Sequence, residues 1–348
     1  MAERYPLISV VVVNYNQMEF TRSCISSILE NTTYPNYEVI VVDSGSSYQN
    51  LLELRHVFRN ESKVKLIDVG TDVGYSAACN IGFSISRGEM IALLNNDTIV
   101  TSDWLMNLFR LIVSDGEIAC VQSKLVLMDH PERIDSVGHV VDPVGFLRAE
   151  GYMEIDRGQY DRIREICVVQ PAACLIKSAI LKEVGLFDPD YFWCHEDTDL
   201  SMRIRLRGYK ILLAPNSVVH HKRSPTVSRM DPAVLAYYSR RNMLMTILKT
   251  YEARNLLTLG LVHILSVLVI GLWQLSRKRY DHLGAILKAI WWNVKNFRRT
   301  FMKRTIVQNM RRVRDEELFE NFDSFNLYRL IAKRHDYPLA LTHLRRAL

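Results

Sequence analysis

The chain has 348 residues, a length that suits one large α/β domain with an appendage or two to three smaller domains. Its composition, 48% hydrophobic and 24% charged with 15 Gly and 10 Pro, is that of a globular protein and excludes a collagenous, coiled-coil or disordered chain. The net charge is +6, and residues 274–348 hold 17 Lys and Arg against 7 Asp and Glu. Such a basic segment can contact nucleic acid or anionic lipid.

The six cysteines form no Cys-x-x-Cys pair and lie in strand-like or helix-like segments. We therefore expect a reducing compartment, with no disulfide framework and no zinc ribbon. Residues 1–6 lead into the apolar run 7–13, which is too short for a signal peptide and has no cleavage site behind it. We expect the folded part of the chain to stay in the cytoplasm.

The first hundred residues alternate β-branched runs with helical patterns. The predicted strands are 8–13, 37–43, 63–69 and 90–95, and the predicted helices between them are 19–30, 51–59 and 75–87. Near-continuous apolar runs such as 10–13 and 39–42 are typical of parallel strands covered on both faces. The pattern predicts a doubly wound, mostly parallel α/β sheet, whose ligands lie beyond the carboxyl ends of the strands.

Beyond residue 100 the predicted elements are shorter and more mixed. They are a helix over 101–113, a strand over 118–127, irregular strand and loop over 133–151, a strand over 167–177 and a helix over 178–184. An aromatic loop over 187–193 then leads into a helix over 197–207, which Gly208 ends, and a last strand covers 210–221.

Two nucleotide-binding signatures are missing. No Gly-x-Gly-x-x-Gly follows the first strand, and no Gly-Lys dipeptide occurs in the chain. These absences argue against a Rossmann dehydrogenase and a P-loop NTPase.

Polar residues instead follow the predicted strands. Asp43 can accept hydrogen bonds from a nucleobase or ribose at its strand end, or it can form an Asx-turn or a helix N-cap. Asn95, Asn96 and Asp97 present three oxygen-bearing side chains, which suit a hard divalent cation that completes its shell with substrate phosphates. The same tripeptide is also a common turn.

A second polar cluster, His195-Glu196-Asp197-Thr198-Asp199, begins directly behind Trp193. Acidic residues stabilise the start of a helix, which explains Glu196 and Asp199. A carboxylate beside aromatic walls also suits a general base next to a stacked sugar.

His220 and His221 end the last predicted strand. Neighbouring strand residues point to opposite faces, so at most one of the two is a ligand at this edge of the sheet. A purely structural role for either is the alternative.

Taken in order and spacing, these segments resemble glycosyltransferase family 2 enzymes with the GT-A fold, closest to rhamnosyl- and galactofuranosyl-type transferases of surface polysaccharides. The resemblance covers residues 7–226. The matching pieces are Val12–Asn16, Val41–Ser46, Gly74–Gly82, Leu94–Thr98, Ile134–Gly138, Phe187–Leu200 and Val218–His221.

The resemblance implies roles for single residues. Asp43 would contact the donor base, and Asp97 would hold Mg²⁺ or Mn²⁺ on the donor diphosphate with help from His221. Asp197 would be the general base of an inverting displacement. The other implied donor-side residues are Asn14, Asn16, Gly74, Asn80, Asn95 and Asn96, and the implied acceptor-side residues are Trp193 and Glu196.

Three positions depart from the family pattern. Asp72 and Cys79 stand where the family usually has Asn, which affects the donor-side loop. Ala172 stands where the family usually has Gly, which affects how closely a backbone approaches the acceptor wall.

The implied reaction moves a sugar from a nucleotide-sugar donor to a hydroxyl of a saccharide or lipid-linked acceptor. It needs a base near the nucleophile and a cation on the departing diphosphate, whereas a glycoside hydrolase needs two carboxylates flanking the bond. One alternative is a sugar nucleotidyltransferase, although such families carry a Gly-rich basic loop where this chain has residues 14–16. The other is a non-catalytic sugar-nucleotide-binding scaffold, although Asp97 and Asp197 are both retained.

The carboxyl-terminal region combines apolar and basic segments. Residues 256–275 carry no charged side chain and, as a helix of about 30 Å, could cross a bilayer. A single span would, however, place the basic tail on the far side of the membrane from the sheet domain, against the positive-inside tendency. Residues 283–297 repeat apolar side chains at three- and four-residue steps, as an interfacial amphipathic helix does.

We therefore expect two domains, a GT-A domain over 1–231 and a helical, basic, membrane-associating extension over 232–348 at the cytoplasmic face of an anionic membrane. A helical pair that packs on the catalytic domain is the alternative for the extension. Nucleic acid is not expected as a partner, because no recognition module accompanies the charge.

Overall fold

The computed structural model of the protein describes residues 4–223, 230–320, 322 and 323. By its internal contacts the chain forms two units. The first comprises residues 1–139 and 150–222, and the second comprises residues 140–149 and 223–348, each as far as the chain is described. This division differs from the consecutive domains 1–231 and 232–348 expected above, because residues 140–149 pack with the carboxyl-terminal helices.

Twelve strands lie in the described residues. They are β1 (Ile8–Asn14), β2 (Tyr37–Asp43), β3 (Val64–Asp68), β4 (Met90–Asn95), β5 (Thr98–Val100), β6 (Ile118–Leu127), β7 (Ile134–Ser136), β8 (His139–Val141), β9 (Leu147–Ala149), β10 (Arg164–Glu165), β11 (Ala173–Lys177) and β12 (Lys210–His221).

The helices follow the same order. They are α1 (Met18–Asn31), α2 (Tyr48–Phe58), α3 (Gly74–Ile85), α4 (Trp104–Val113), α5 (Ser178–Val184), α6 (Glu196–Leu206), α7 (Pro232–Thr250), α8 (Ala253–Ser276), α9 (Tyr280–Lys295), α10 (Phe297–Met310) and α11 (Asp315–Phe319).

The first unit is built on a mixed, mostly parallel sheet in the order β10-β12-β6-β11-β4-β1-β2-β3. Strands β4, β1, β2 and β3 are parallel neighbours, β6 and β12 are parallel, and β11 runs antiparallel between β4 and β6. The parallel sheet predicted from the apolar runs is confirmed.

Helices cover both faces of this sheet. Val10 and Val12 of β1 point into a core that contains Ile28 of α1 and Trp104 of α4. Val11 points to the opposite face, where a Cβ added to Gly82 of α3 would lie 2.4 Å from Val11 Cγ1. The doubly wound arrangement follows from the two-residue alternation of the strands.

The sheet register brings distant polar residues to one edge. Strand β5 pairs with the end of β12, so that His221 lies opposite Thr98, the residue after Asp97. Strand β7 pairs with the end of β6, with Leu125 opposite Ser136.

The strand predicted over 167–177 is shorter than expected. Only Ala173–Lys177 pairs in the sheet, because the preceding backbone is engaged elsewhere. Val168 N–H donates to the carbonyl of His139, and Val169 N–H donates to the Ser201 hydroxyl. The segment 133–151, predicted as irregular strand and loop, contains the three short strands β7, β8 and β9.

The second unit contains the helices α7 to α11 together with residues 140–149. Tyr251 donates its hydroxyl hydrogen to the carbonyl of Pro143, and Arg148 pairs with Asp323 at 2.9 Å. Arg304 donates to the carbonyls of Leu248 and Tyr251. Carbonyl groups at the end of α7, which have no partner within the helix, are therefore hydrogen-bonded by a side chain of the same unit.

Candidate active site

Asp43 and Asn14 are held together at the carboxyl ends of β2 and β1. Both are fully buried, and Asn14 Nδ2 donates to Asp43 Oδ2 at 2.6 Å. Ser46 N–H donates to Asp43 Oδ1 at 2.9 Å, three residues along the chain, whereas an Asx-turn would use the N–H two residues along. These two hydrogen bonds fix the direction of the Asp43 carboxylate; contact of Asp43 with a donor base stays a prediction.

The Asn residues after β1 and β4 belong to the same network. The Thr21 hydroxyl donates to Asn14 Oδ1 at 2.7 Å, and Asn96 Nδ2 donates to that hydroxyl oxygen at 2.9 Å. Asn16 Oδ1 accepts the N–H of Ser47 at 2.8 Å, which holds the start of α2. Asn95 contributes its backbone, with a carbonyl that accepts the Thr98 hydroxyl.

Two of the predicted donor-side residues have structural partners. The Asn80 side chain pairs at both ends with the backbone of Phe187, at 2.8 and 3.1 Å. Gly74 has φ +77°, and a Cβ there would lie 2.6 Å from the carbonyl oxygen of Phe192. The packing of the aromatic loop on α3 therefore accounts for both residues, and their contact with a donor stays a prediction.

The departures from the family pattern have local roles. Asp72 Oδ1 accepts the N–H of Gly74 at 2.9 Å at the start of α3. Cys79 is fully buried, so burial raises the pKa of its thiol. Ala172 is buried, and its carbonyl accepts the N–H of Asn95 at 3.0 Å.

Asp97 meets His221 at the sheet edge. The distance from His221 Nε2 to Asp97 Oδ1 is 3.2 Å, and that from His221 Nδ1 to Asp135 Oδ2 is 2.7 Å. All three side chains are buried. Burial alone would lower the pKa of His221, but the carboxylates of Asp135 and Asp97 override it and raise the pKa to about 9.

Asp97 and His221 fit a divalent cation as a partial ligand set. Two ligand atoms each about 2.1 Å from one ion and at a right angle are about 3.0 Å apart, close to the Nε2–Oδ1 distance of 3.2 Å. Among the described residues no three His, Cys, Asp or Glu side chains form a complete metal cage. Two protein ligands suit an ion whose remaining positions are filled by water and a diphosphate.

Asp197 and Glu196 are buried at the start of α6. Burial raises the pKa of Asp197 to about 6, although Thr198 donates both its N–H and its hydroxyl to Asp197 Oδ1, at 2.6 and 3.2 Å. Burial and the neighbouring Asp197 charge raise the pKa of Glu196 to about 8. Glu196 Oε2 has no hydrogen-bond partner within the described part of the protein.

The helix-dipole explanation for Glu196 and Asp199 is too simple, because neither side chain is at the surface. Asp199 is fully buried and pairs with Arg203, whose Nε lies 3.0 Å from Asp199 Oδ2. Arg203 also donates to the carbonyls of Val184, Gly185 and Leu186. Asp199 therefore ties α6 to the end of α5.

The aromatic loop before α6 has an unusual backbone. Phe192, Cys194 and His195 all have positive φ, at 51°, 69° and 63°. Non-glycine residues adopt this conformation rarely, and usually where the surroundings enforce it. Trp193 is half-buried in this loop, directly before the acidic cluster.

Two residues near the predicted chemistry were not candidates in the sequence. Asp135 contacts His221, and His139 Nδ1 lies 3.7 Å from Asp197 Oδ2. A signal existed for Asp135, because Ile134–Gly138 is one of the matching family segments and places a charged residue between apolar ones. His139 directly follows that segment and had no signal of its own.

Comparison with known proteins identifies the class. The model of the family "Glycosyl transferase family 2" matches residues 9–182, which is half of the chain. The chain therefore belongs to glycosyltransferase family 2.

The chain is also similar to curated relatives and to a solved structure. The uncharacterized protein y4gI of Sinorhizobium fredii is 30% identical over 66% of this chain and 26% of its own length. The O-antigen biosynthesis protein RfbC of Myxococcus xanthus is 26% identical over 62% of this chain and 17% of its own length. The mannosyltransferase PcManGT of Pyrobaculum calidifontis, in complex with GDP-Man and Mn²⁺, has a TM-score of 0.54 and 15% identity over 84% of this chain and 88% of its own.

At 15% identity the structural likeness shows the fold alone, which is that of GT-A glycosyltransferases. The chain spans about a quarter or less of the length of these two curated relatives.

Proposed function

We propose that the protein transfers a sugar from a nucleoside-diphosphate sugar to a hydroxyl group, with inversion at the anomeric carbon. The observation that carries the proposal is the pairing of Asp97 with His221 at the carboxyl ends of the strands, where open α/β sheets bind their ligands. Family membership and the GDP-Man bound to PcManGT support a nucleotide-sugar donor.

Asp197 is the proposed general base. Its Oδ1 is held by Thr198, which leaves Oδ2 to accept the proton of the acceptor hydroxyl. The acceptor oxygen then forms a bond to the anomeric carbon, and the bond from that carbon to the diphosphate breaks on the opposite side. The leaving nucleoside diphosphate keeps the electron pair. A single carboxylate base suits this direct displacement.

Asp97 and His221 would hold Mg²⁺ or Mn²⁺ against the donor diphosphate. When bound, the cation would offset the negative charge that grows on the departing diphosphate. The Mn²⁺ in the PcManGT complex supports a divalent cation in this role. The similarity to RfbC supports an acceptor in the synthesis of a surface polysaccharide or related glycan, as a saccharide or a lipid-linked saccharide.

Metal-dependent release of nucleoside diphosphate across a panel of sugar donors tests the proposal. We expect one donor to be turned over with Mn²⁺ or Mg²⁺, with loss of release in EDTA and in Asp97→Asn. Asp103→Asn, at an exposed carboxylate soon after Asp97, is the matched control and should keep full activity. An inverted anomeric configuration in the product, read by NMR, completes the assignment.

Two outcomes would contradict it. Release that persists in EDTA and in Asp97→Asn would exclude the proposed cation site. Metal-dependent donor binding without any release, for every donor and acceptor supplied, would favour the non-catalytic scaffold.

We also propose that the second unit lies on an anionic membrane surface. Among the described helices, only α8 is long and apolar enough to cross a membrane. In its most apolar stretch of 18 residues, 28% is buried. His263 and Gly271 are on its buried side: His263 bonds to the carbonyl of Val144 at 2.7 Å, and a Cβ on Gly271 would meet Leu283. Because its own unit covers this side, α8 has one apolar face for lipid rather than a full circumference.

The apolar face of α8 includes Leu257, Leu261, Leu265 and Leu272, all more than half exposed. Two other helices of the unit also expose large apolar side chains. Trp291 of α9 is 66% exposed and Met302 of α10 is 68% exposed. The exposed basic residues Lys288, Lys295, Arg298 and Arg299 lie in the same helices. Apolar side chains beside basic ones match the acyl and headgroup layers of an anionic bilayer.

A further inference from the structure

We propose that Asp135 is a positioning residue: its carboxylate holds His221 by Nδ1–H, so that Nε2 faces Asp97. The inference rests on the proposed function, in which Asp97 and His221 hold the divalent cation. It adds Asp135 to the cation site as a residue that does not bind the cation itself and lies on strand β7.

The contacts place Asp135 behind His221. Asp135 is fully buried and its Oδ2 lies 2.7 Å from His221 Nδ1, while Nε2 on the far side of the ring lies 3.2 Å from Asp97 Oδ1. The three side chains therefore form a row in which the imidazole separates the two carboxylates.

The backbone on both sides of Asp135 is fixed. Ser136 lies opposite Leu125, and Ile134 lies opposite Val126, in the β6–β7 pairing. His221 is the last residue of β12 and lies opposite Leu127 of the same strand β6. Because both residues are anchored to β6, their separation is set by the sheet.

The chemistry of imidazole makes this arrangement directional. A neutral imidazole carries hydrogen on one nitrogen and a lone pair on the other, and the hydrogen-bond partner decides which. A histidine that binds a cation is neutral, so with Nδ1–H donated to Asp135 the lone pair would stand on Nε2, on the side of the ring where Asp97 lies. A carboxylate behind a histidine ligand also makes the ligand nitrogen more basic and stops rotation of the ring.

A hydrogen bond to His221 alone would not require a carboxylate at position 135. Burying a charge costs more than burying an amide, and an amide oxygen could accept the same hydrogen bond. A carboxylate at this position is explained by what it does to the imidazole.

Titration with Mn²⁺ tests the inference, with binding read by electron paramagnetic resonance, first with Mn²⁺ alone and then with UDP or GDP present. We expect Asp135→Asn to bind Mn²⁺ about 10- to 100-fold more weakly, the usual effect of losing such a partner. Ser136→Ala is the matched control, because Ser136 is the fully buried neighbour on the same strand and its hydroxyl donates to Gly138. This control should bind Mn²⁺ as the unchanged protein does.

A double-mutant cycle separates positioning from general damage. If Asp135 acts through His221, adding Asp135→Asn to His221→Ala should weaken Mn²⁺ binding by less than about twofold more. Full additivity would mean that Asp135 acts elsewhere and would overturn the inference. The inference would also be overturned if Asp135→Asn kept the Mn²⁺ affinity of the unchanged protein while His221→Ala lost Mn²⁺ binding.

The Mn²⁺ titrations give a different result if the proposed function itself is wrong. If Asp97→Asn and His221→Ala both bind Mn²⁺ as the unchanged protein does, the cation site itself is wrong, and the inference falls with it. Should Asp135→Asn fail to fold, ¹⁵N NMR of His221 in the unchanged protein with Mg²⁺ and UDP or GDP decides. Hydrogen on Nδ1 supports the inference, and hydrogen on Nε2 alone overturns it.

Discussion

His139 Nδ1 lies 3.7 Å from Asp197 Oδ2, while the N–H and hydroxyl of Thr198 hold the other oxygen of the same carboxylate. The two oxygens of Asp197 therefore have different surroundings. Oδ1 is fixed by donors from the same helix turn, and Oδ2 is the oxygen that can accept a proton from an incoming hydroxyl.

The first prediction concerns Asp197→Asn. Removal of a general base lowers the rate by about 10²- to 10⁴-fold. Because the cation site is made by other residues, metal-dependent donor affinity should stay within a few-fold. Transfer to a proven acceptor and calorimetric donor binding measure the two effects. Near-normal transfer by Asp197→Asn would place the base elsewhere.

The second prediction is the pH dependence of transfer. Burial raises the pKa of Asp197 to about 6, and a base must be deprotonated to act. The rate should therefore rise with pH through about 6 and level off above it, at saturating metal. Asp197 and Glu196 are neighbours, so the observed value belongs to the pair of carboxyls. A rate that is flat between pH 5 and 7 would speak against Asp197 as the base.

The third prediction is that Glu196→Gln stabilises the protein in a pH-dependent way. The pKa of Glu196 is raised to about 8, from an ordinary value of 4.5. Because the fold favours the protonated Glu196 carboxyl, its contribution to stability is fully present below about pH 4.5 and is lost as the pH rises through about 8. A neutral amide avoids this loss. The free energy of unfolding of Glu196→Gln should therefore exceed that of the unchanged protein by at least about 1 kcal/mol at pH 8.5, and by little at pH 4.5.

Denaturant unfolding at the two pH values measures this gain. Glu30→Gln, at an exposed carboxylate near the end of α1, is the control and should show no comparable pH dependence. An equal effect of Glu196→Gln at both pH values would mean that Glu196 is not held protonated by its surroundings.

The fourth prediction separates Asp199 from Asp197. Asp199→Asn leaves Arg203 buried without its carboxylate, and breaking a buried ion pair costs about 3–5 kcal/mol. We expect a large loss of unfolding free energy, while the fraction that remains folded keeps its turnover. Glu117→Gln, which breaks the exposed pair with Lys210, is the control and should cause no measurable loss. A stable but inactive Asp199→Asn would show that Asp199 takes part in the chemistry.

The fifth prediction concerns the membrane. Binding to phosphatidylserine vesicles should exceed binding to phosphatidylcholine vesicles and weaken as salt is raised, because exposed basic residues contribute about 1 kcal/mol each near an anionic surface. Trp291→Ser with Met302→Ser should weaken it further, by removing apolar contact area. Ile163→Ser, at an apolar side chain of the first unit that is 59% exposed, should leave vesicle binding unchanged.

Carbonate extraction distinguishes a protein that lies on the membrane surface from one that spans the membrane. Release of the protein from membranes at high pH supports a surface position, and retention would favour a span by α8. Pelleting that is insensitive to both salt and lipid charge would instead leave these helices as packing elements of a protein that does not bind membranes.

Local patterns were enough to determine the sheet and most of its helices. Strands β2, β4, β6 and β12 begin and end where the apolar runs predict, because burial on both faces leaves a continuous hydrophobic signature. The order of Asp97, Asp197 and His221 within family motifs was also readable, because these motifs are short and continuous in the chain.

Only the tertiary structure decided which side chains meet. Asp135 and His221 are separated by 86 positions and become neighbours through a shared strand, and hydrophobic periodicity contains no information about such pairing. The same limit applies to Asp199, whose sequence position suggested a surface helix start. Its burial against Arg203 depends on how α5 and α6 pack, since ion-pair partners and desolvation are properties of the folded chain and not of its local pattern.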